Sequence, residues 1–287
     1  MDKVVRKSSA QSEIKTSLAR IVSLEEAAQR KLDEMTAYLN GLATAINSVH
    51  AIVGAKGASA GALGNSQMES VLSGGNIREV YLTDLFPGIE QISVPIGAIN
   101  EESGHANHVD LLYVNAIARV LEAKRIFEFG TYLGRTTYHL ALSGPDVNVV
   151  SLNLPPEEDK RIAPFLGSYF KGTEVEAQIE LVLQDSRKFD TEAYKNSFDL
   201  IFVDGDHSYE LIANDTKKAF ELLKPGGTII WHDFAAKSPG VLKFLGEFSE
   251  ETPIFRVKDT CLVVLIDGVD ARVAKFSDRR KTLISKP

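Results

Sequence analysis

The sequence predicts an α/β fold built on a largely parallel sheet, with a long helix before it. Between residues 107 and 270, short apolar runs alternate with segments whose apolar residues recur at helical spacing. The last two apolar runs have no helical segment between them, which favours an antiparallel hairpin at the edge of the sheet. Residues 12–53 contain no proline and only one glycine, so a single long helix is expected there.

The composition is that of a globular protein and excludes several classes of function. The chain has 287 residues, of which 44% are hydrophobic and 25% charged. A net charge of −7 argues against a nucleic-acid groove, which needs a basic surface. The single cysteine, Cys261, excludes an internal disulfide and is expected to be a small buried apolar residue. We expect a cytoplasmic protein without a membrane segment, because no secretory leader and no apolar run of about 20 residues is present.

The segment 1–53 has the pattern of a coiled coil. From Ala28 to Val53 its apolar residues alternate in steps of four and three, which is a seven-residue repeat. A helix of that length cannot bury its apolar seam against itself. We therefore expect this segment either to pack along the main domain or to form a homo-oligomer, and we favour the homo-oligomer.

The rest of the chain divides by composition into a linker, a cap, a catalytic domain and a tail. The linker is rich in glycine and other small residues, and the tail is basic. The predicted bounds are 54–66 for the linker, 67–106 for a cap on the substrate side, 107–270 for the catalytic domain and 271–287 for the tail.

Within the catalytic domain, strands are predicted where apolar and β-branched residues cluster, and helices where apolar residues follow a 3.6-residue period. The predicted strands are 124–130, 147–154, 179–185, 198–204 and 228–234, with a final pair within 254–267. The predicted helices are 108–123, 134–143, 157–170, 208–224 and 241–249. This alternation is typical of right-handed βαβ units.

The end of the first predicted strand has the features of a ligand-binding turn. Gly130 and Gly134 form a Gly-x-x-x-Gly pattern, and Glu128 lies two residues before it. Gly130 allows a sharp turn and close approach of a ligand to the backbone. The pattern lacks the middle glycine of a dinucleotide fingerprint. An acid beside the turn suits a cationic or amine-bearing ligand instead.

From about residue 107 to 267 the chain resembles the class I S-adenosylmethionine-dependent methyltransferases. The resemblance combines the Glu-x-Gly-x-x-x-Gly pattern with the stretches FDLIFVDGDHSYE, LLKPGG and WHDF. Together these motifs resemble a subfamily that includes macrolide-sugar O-methyltransferases. The resemblance implies a Rossmann-like sheet, S-adenosylmethionine as the cofactor, and a sugar or glycosylated natural product whose hydroxyl is methylated.

The same resemblance implies a set of cofactor contacts. The methionine part would be framed by Glu128, Gly130, Tyr132 and Gly134. Asn153 stands at the position that normally presents an acid to the ribose, and an amide makes weaker hydrogen bonds to a diol. Asp185 and Ser186 would contact the adenine, although Asp185 could also cap a helix.

Two strand ends carry the residues expected to perform the chemistry. Asp204 follows the fourth strand, and His232 and Asp233 follow the fifth, which is its neighbour in related sheets. In related enzymes these positions hold a divalent cation, so we predict Asp204, His232 and Asp233 as ligands of Mg²⁺ or Mn²⁺. Asp206 and His207 are the two candidates for the base that accepts the proton from the acceptor hydroxyl.

Other interpretations of these residues stay open at this point. Asp206 or Ser208 could simply cap the helix that begins near Tyr209, and His207 could be a packed, hydrogen-bonded side chain. Because Asn153 and His232 depart from the family pattern, the domain could also be an inactive scaffold that acts through its coiled coil. A third alternative is a metal-dependent hydroxylase-like enzyme that uses the Asp/His cluster without the cofactor.

Overall fold

The computed structural model describes residues 77–97, 107–160 and 162–269. The predicted long helix, the linker and the basic tail lie outside these residues, as do parts of the predicted cap. None of the helices in the described ranges has the length and hydropathy of a membrane span.

The described residues form one eight-stranded sheet. The strands are β1 (Arg78–Val80), β2 (Arg125–Phe129), β3 (Asn148–Asn153), β4 (Ile179–Leu183), β5 (Phe198–Val203), β6 (Leu223–Trp231), β7 (Phe255–Val257) and β8 (Val263–Ile266). Their order across the sheet is β1-β7-β8-β6-β5-β2-β3-β4. Neighbours are parallel except around β8, which is antiparallel to both β6 and β7. The five predicted strands between 124 and 234 are confirmed, and β5 and β6 are neighbours as expected.

The α-helices of the described residues are α1 (Leu82–Leu85), α2 (His108–Val120), α3 (Arg135–Ala141), α4 (Tyr209–Leu222) and α5 (Pro239–Glu251). Three short 3-10 turns occur at Ile89–Gln91, Glu176–Gln178 and Glu192–Tyr194. Local sequence fixes two of the helix starts. Asn107 caps α2, because its side-chain oxygen accepts from the Asp110 backbone N–H at 2.8 Å. Pro239 occupies the first turn of α5, where its missing N–H costs nothing.

Both faces of the sheet are buried, which explains why its strands read as continuous apolar runs. Along β5, Leu200 and Phe202 pack on one face with α2 and α3, while Ile201 and Val203 pack on the other with α4 and α5. Trp231 in β6 is fully buried on the second face. The buried helices hold the carboxyl ends of the strands in place, and that edge of the sheet carries the predicted site residues.

Two predictions about the sheet margins are corrected. The final hairpin is antiparallel as predicted, but it is not at the edge: β8 lies between β6 and β7, and β1 pairs in parallel with β7 on the outside. The sheet therefore begins before the predicted domain start at residue 107. The described part of the predicted cap, 77–97, supplies this edge strand and packs against the α2/α3 face of the core.

The predicted helix 157–170 is wrong, because this segment forms turns. Some of its backbone N–H groups bond within the segment, but two bond outside it: Gly167 donates to Tyr132 O at 3.1 Å, and Tyr169 donates to Leu133 O at 3.0 Å. Gly167 also has a φ of 70°, which a helix cannot contain. The segment is thus tied to the turn after β2, which is the turn predicted to bind a ligand.

Candidate active site

The turn after β2 lies directly against the end of β5. Gly130 has a φ of 94°, and a Cβ at this position would lie 2.1 Å from the carbonyl oxygen of Asp204. Only glycine fits there, for both conformational and steric reasons. Tyr132, two residues on, also has a positive φ of 51°. This turn therefore brings backbone atoms close to the end of the neighbouring strand.

Asn153, at the end of β3, holds this turn in place. Its Oδ1 accepts hydrogen bonds from the backbone N–H groups of Thr131 and Tyr132, each at 3.1 Å. Its Nδ2 donates to Leu154 O at 3.0 Å. The amide lies at the predicted ribose position, but its oxygen is engaged with the turn. One N–H of the amide is left for a ligand.

A first cavity of ≈ 270 Å³ opens at the carboxyl ends of β2 to β5. Five of the predicted cofactor residues line it, namely Gly130, Tyr132, Asn153, Asp185 and Ser186. Apolar walls come from Phe129, Leu152, Leu154, Ile162 and Leu211. Polar and charged residues, among them Asp159, Asp206 and Asp215, line the rest of the cavity, so it combines apolar walls with groups that can hydrogen-bond a nucleoside.

Asp185 and Ser186 lie after β4 as predicted, but the described residues between β4 and β5 contain no α-helix that Asp185 could cap. The buried Asp185 carboxylate instead accepts hydrogen bonds from the backbone N–H, Nε and Nη2 of Arg187, at 2.7–3.1 Å. Arg187 lowers the pKa of Asp185 well below its ordinary value, so the group is a carboxylate at neutral pH. The Ser186 hydroxyl lies 3.4 Å from Nδ2 of Asn214.

A second cavity of ≈ 290 Å³ adjoins the first. The two share a wall formed by Gly130, Tyr132, Asp204 and Gly205. The other lining residues of the second cavity are polar or charged: Thr131, Arg135, Thr136, His207, His232, Asp233 and Lys237. A ligand in the first cavity can therefore present one end to a cluster of titratable groups in the second.

His232 is the centre of that cluster. Its Nδ1 lies 3.1 Å from Oδ1 of Asp204 and 3.3 Å from Oδ2 of Asp233, while its Nε2 lies 3.1 Å from Oδ2 of Asp110. One ligand atom from each of Asp204, His232 and Asp233 lies within 4.8 Å of the others. The structure therefore brings together the three residues that the sequence predicted as metal ligands.

Asp110 is fully buried beneath the cluster, at the start of α2. Its carboxylate also accepts hydrogen bonds from Nδ2 of Asn107 at 2.8 Å and from the backbone N–H of Cys261 at 3.3 Å. These donors fix the carboxylate so that it orients the His232 ring. Cys261 is partly exposed rather than buried as predicted, and its contribution here is its backbone.

Asp233 links His207 to the cluster. Oδ2 of Asp233 lies 2.6 Å from Nε2 of His207, and Oδ1 lies 2.7 Å from Nζ of Lys237. Asp233 has a φ of 57°, which is unusual for a non-glycine residue and often marks a functional position. Because Nε2–H of His207 donates to the carboxylate, Nδ1 carries the lone pair of the neutral ring. The Ser238 hydroxyl lies 3.5 Å from this Nδ1.

The shared hydrogen bonds shift the pKa values within the cluster. Burial alone would lower the pKa of His232, but Asp204 and the bonds to Asp110 and Asp233 outweigh it and raise this pKa to about 12. Burial would raise the pKa of Asp233, but hydrogen bonds from His207 and His232 lower it far below its ordinary value. The hydrogen bond to Asp233 raises the pKa of His207. The His207 side chain is half-exposed, whereas the His232 side chain is buried.

The two predicted base candidates face different cavities. His207 lines the second cavity, whereas Asp206 is exposed and lines the first. Asp206 accepts from the backbone N–H of Ser208 at 2.7 Å, which fixes the turn leading into α4. Ser208 is the N-cap residue, although its own side chain makes no capping bond. Asp206 therefore has a structural role at the start of α4, which was one of the two interpretations left open by the sequence. His207 instead contacts Asp233.

Part of the chain matches a known protein family. Residues 127–234 match the family model described as a methyltransferase domain. The matched range runs from β2 to the residue after Asp233, so it contains both strand ends that carry the cluster, although it is less than half of the chain. No protein of curated function matches the sequence.

Solved structures of methyltransferases are similar to this chain at low identity. An SAH-bound methyltransferase from Podospora anserina is 16% identical, with 74% of this chain and 99% of that chain covered and a TM-score of 0.48. The Streptomyces achromogenes O-methyltransferase of tomaymycin synthesis, in complex with SAM, is 17% identical, with coverage of 70% and 96% and a TM-score of 0.45. A Bacillus cereus O-methyltransferase in complex with SAH is 17% identical, with coverage of 77% and 97% and a TM-score of 0.45. Likeness at this level identifies no substrate.

Within the matched methyltransferase domain, Glu128 and Gly134 line neither cavity, and their contact with the methionine part of a cofactor stays a prediction. Glu128 is fully buried, and its Oε2 accepts from the hydroxyls of Thr137 and Ser151, each at 2.5 Å. Burial raises the pKa of Glu128 to about 8. Gly134 leaves space for Phe170, whose ring would lie 2.6 Å from a Cβ at this position. Both residues thus support the turn from behind.

Sequence reasoning missed three charged residues of the site: Asp110, Arg135 and Lys237. Asp110 follows Asn107 by three positions, so it reads as part of an ordinary helix start. Arg135 directly follows Gly134, and Lys237 lies four residues after Asp233 in an irregular segment. Arg135 and Lys237 are close in sequence to predicted site residues, which offered a usable signal, whereas Asp110 meets the site only through the tertiary fold.

Proposed function

We propose that this protein is an S-adenosylmethionine-dependent O-methyltransferase that methylates a hydroxyl of a small acceptor. The match to a methyltransferase domain supports the reaction type. The observation that carries the proposal is the pair of cavities that share the Gly130, Tyr132 and Asp204 wall, with an Asp-paired His207 in the second. This arrangement supports a donor site and a base on opposite sides of one turn.

The first cavity fits the nucleoside part of the donor. Its apolar walls suit the adenine ring, and Asp185 and Asn153 offer polar groups at two places along the cavity. The absent side chain of Gly130 leaves the backbone bare at the junction of the cavities, where a Cβ would collide with Asp204. When bound, S-adenosylmethionine supplies an electrophilic methyl group on its sulfonium.

His207 is the base of the proposed reaction. With Nε2–H held by Asp233, the ring accepts at Nδ1 the proton that the acceptor hydroxyl loses as its oxygen takes the methyl group. Asp233 stabilises the resulting imidazolium, in the way that a carboxylate supports histidine in other acid–base pairs. Half of the His207 side chain is exposed, so the proton can pass on to solvent.

The donor set at the cluster fits a divalent cation in type and spacing. Asp204 and Asp233 offer oxygen atoms 3.1 Å and 3.3 Å from Nδ1 of His232, and adjacent ligands in an octahedral Mg²⁺ or Mn²⁺ site are about 3 Å apart. Asp110 would fix the ring as carboxylates do for metal-bound histidines. A cation held by Asp204, His232 and Asp233 would lower the pKa of a nearby hydroxyl. It would have to replace the proton that the raised pKa keeps on His232 at neutral pH, and to displace Lys237 or His207 from Asp233.

The polar lining of the second cavity supports a sugar hydroxyl as the acceptor. Tyr132 is the one aromatic residue among its described lining residues. A sugar offers many hydroxyls to such groups, whereas a flat aromatic acceptor needs apolar walls. The sugar or glycosylated class is part of the proposal and rests on this lining and on the sequence resemblance.

Methyl transfer from labelled S-adenosylmethionine to a panel of nucleotide sugars and glycosides tests the proposal. We expect activity with at least one hydroxylated acceptor, and its loss in the presence of S-adenosylhomocysteine. His207→Gln should lower the rate by a factor of about 10² to 10⁴, which is the range for general bases. Asp206→Asn, in the neighbouring cavity, should have a much smaller effect on the transfer step. A large loss of rate in Asp206→Asn with a small loss in His207→Gln would show that Asp206 is the base.

A further inference from the structure

Arg135 is a buried cation, and two of its three guanidinium nitrogens lack a hydrogen-bond partner among the described residues. Its side chain lies at the first position of α3 and is only 4% exposed. Among the described residues, the nitrogens without a partner are Nε and Nη2. Burying an incompletely paired guanidinium is costly because it loses its hydration. Since Arg135 lines the second cavity, the missing partner belongs to whatever that cavity binds.

The other charges of the second cavity already have partners. Both of its carboxylates, Asp204 and Asp233, contact cationic or imidazole groups, which are those of His207, His232 and Lys237. Arg135 is outside this network. An anion next to Arg135 would therefore meet these two guanidinium nitrogens, while the cavity carboxylates keep their own partners. The guanidinium fork matches a carboxylate in two parallel hydrogen bonds.

The position of Arg135 favours one end of the methyl donor over the acceptor as the source of this carboxylate. Thr131 and Thr136 line the cavity together with Arg135, and all three belong to the stretch of chain that runs from the Gly130 turn into the start of α3. That turn is the shared wall of the two cavities. A donor with its nucleoside in the first cavity passes this wall and enters the second cavity with its amino-acid end.

We infer that Arg135 binds the α-carboxylate of the methionine part of S-adenosylmethionine. The inference rests on the proposed function, because it takes the first cavity as the nucleoside site. It adds a charged contact that the Glu-x-Gly-x-x-x-Gly pattern does not contain.

Calorimetric titration with two ligands tests the role of Arg135. S-adenosylhomocysteine has the carboxylate, whereas 5′-methylthioadenosine has the same nucleoside and sulfur without the amino-acid end. Arg135→Met should weaken binding of S-adenosylhomocysteine by about 10- to 100-fold, as expected for loss of a charge-assisted pair. The same variant should bind 5′-methylthioadenosine as the wild type does. Arg135→Lys should bind S-adenosylhomocysteine with intermediate affinity.

Matched measurements separate this role from a structural one. Lys124→Gln removes a charge at the opposite end of β2, where Lys124 is exposed and pairs with Asp146, and should change neither affinity. Without ligand, Arg135→Met should melt at the same temperature as the wild type or higher, since it removes an incompletely paired buried charge.

Two outcomes would overturn the inference while leaving the proposed function intact. One is an unchanged affinity of Arg135→Met for S-adenosylhomocysteine. The other is an equal loss for both ligands, which would place Arg135 behind the nucleoside or in the packing. If the wild-type protein binds neither ligand, the proposed function itself fails. That result would also remove the basis for the role of Arg135.

Discussion

At the scale of single residues, three carboxylates converge on one imidazole. Asp110, Asp204 and Asp233 all approach His232 within 3.3 Å, and two of the three are almost fully buried. Such a concentration of negative charge needs compensating cations. The chain supplies imidazole and ammonium groups, and a divalent cation could replace part of them. The cluster is therefore a polar network that fixes side-chain positions at the end of β6.

The pH dependence of turnover should report the pair formed by His207 and Asp233. His207 acts as a base only when neutral, so the rate should rise with pH through the pKa of His207. The hydrogen bond to Asp233 raises that pKa, so the acid limb should lie above the ordinary value for histidine. Asp233→Asn removes this cause and should move the limb to lower pH. A pH–rate profile checks this, and an acid limb that Asp233→Asn leaves in place would contradict the pairing.

Binding of Mn²⁺ should respond in opposite directions to two substitutions. Asp110→Asn weakens the orientation of His232 and should lower the affinity about 10- to 100-fold, as loss of an outer-shell carboxylate does. Lys237→Met removes the ammonium that competes for Asp233 and should raise the affinity. Electron paramagnetic resonance of added Mn²⁺ measures both. If neither variant differs from the wild type, the cluster does not hold a cation through these groups.

Much of the candidate site could be predicted at the residue scale from strand ends alone. Asp204, His232 and Asp233 follow parallel strands that are neighbours, so the rule for α/β sheets placed them together. Asp110 comes from a helix far away in the sequence, and no local pattern links it to His232. The sequence also could not choose between Asp206 and His207, because adjacent residues after a strand face different cavities.

At the scale of elements, the turn after β2 and the segment 157–170 depend on each other. The sequence predicted the turn because its glycines have a recognisable spacing. It failed for the segment, because helical spacing of apolar residues does not reveal backbone bonds to Tyr132 and Leu133. Likewise, three residues of β1 carry too little pattern to predict a strand, although they complete the sheet edge.

A pair of glycine substitutions tests this dependence. Gly134 and Gly172 have similar positive φ angles, 83° and 77°. A Cβ at Gly172 meets nothing within 4 Å, so Gly172→Ala should cost about 1–2 kcal/mol from backbone strain alone. A Cβ at Gly134 would lie 2.6 Å from the Phe170 ring, so Gly134→Ala should cost about 1–3 kcal/mol more. Denaturant unfolding measures the difference. If both variants lose the same free energy of unfolding, the segment around Phe170 shifts to accommodate the added Cβ without cost, and the expected dependence is contradicted.

At the scale of the whole molecule, the buried acid Glu128 should contribute a pH-dependent part of the stability of the fold. Burial raises the pKa of Glu128 to about 8, from an ordinary value of 4.5. Between these values the folded state holds a proton that the unfolded state has lost. This contribution to the free energy of unfolding should therefore fall as pH rises through this window, by up to about 1.4 kcal/mol per pH unit.

Glu128→Gln removes this dependence while keeping an oxygen for Thr137 and Ser151. The difference in unfolding free energy between variant and wild type should increase in favour of the variant from pH 5 to about pH 8. Denaturant titrations at several pH values check it. A difference that is constant across this range would contradict the raised pKa.

The central claim for the whole molecule is that its two adjoining cavities hold a methyl donor beside a histidine base. Calorimetric titration of the purified chain with S-adenosylmethionine tests this claim most directly. We predict saturable binding with one donor per chain, at a dissociation constant well below the millimolar range. The absence of binding heat at millimolar S-adenosylmethionine, across several temperatures, would contradict the claim.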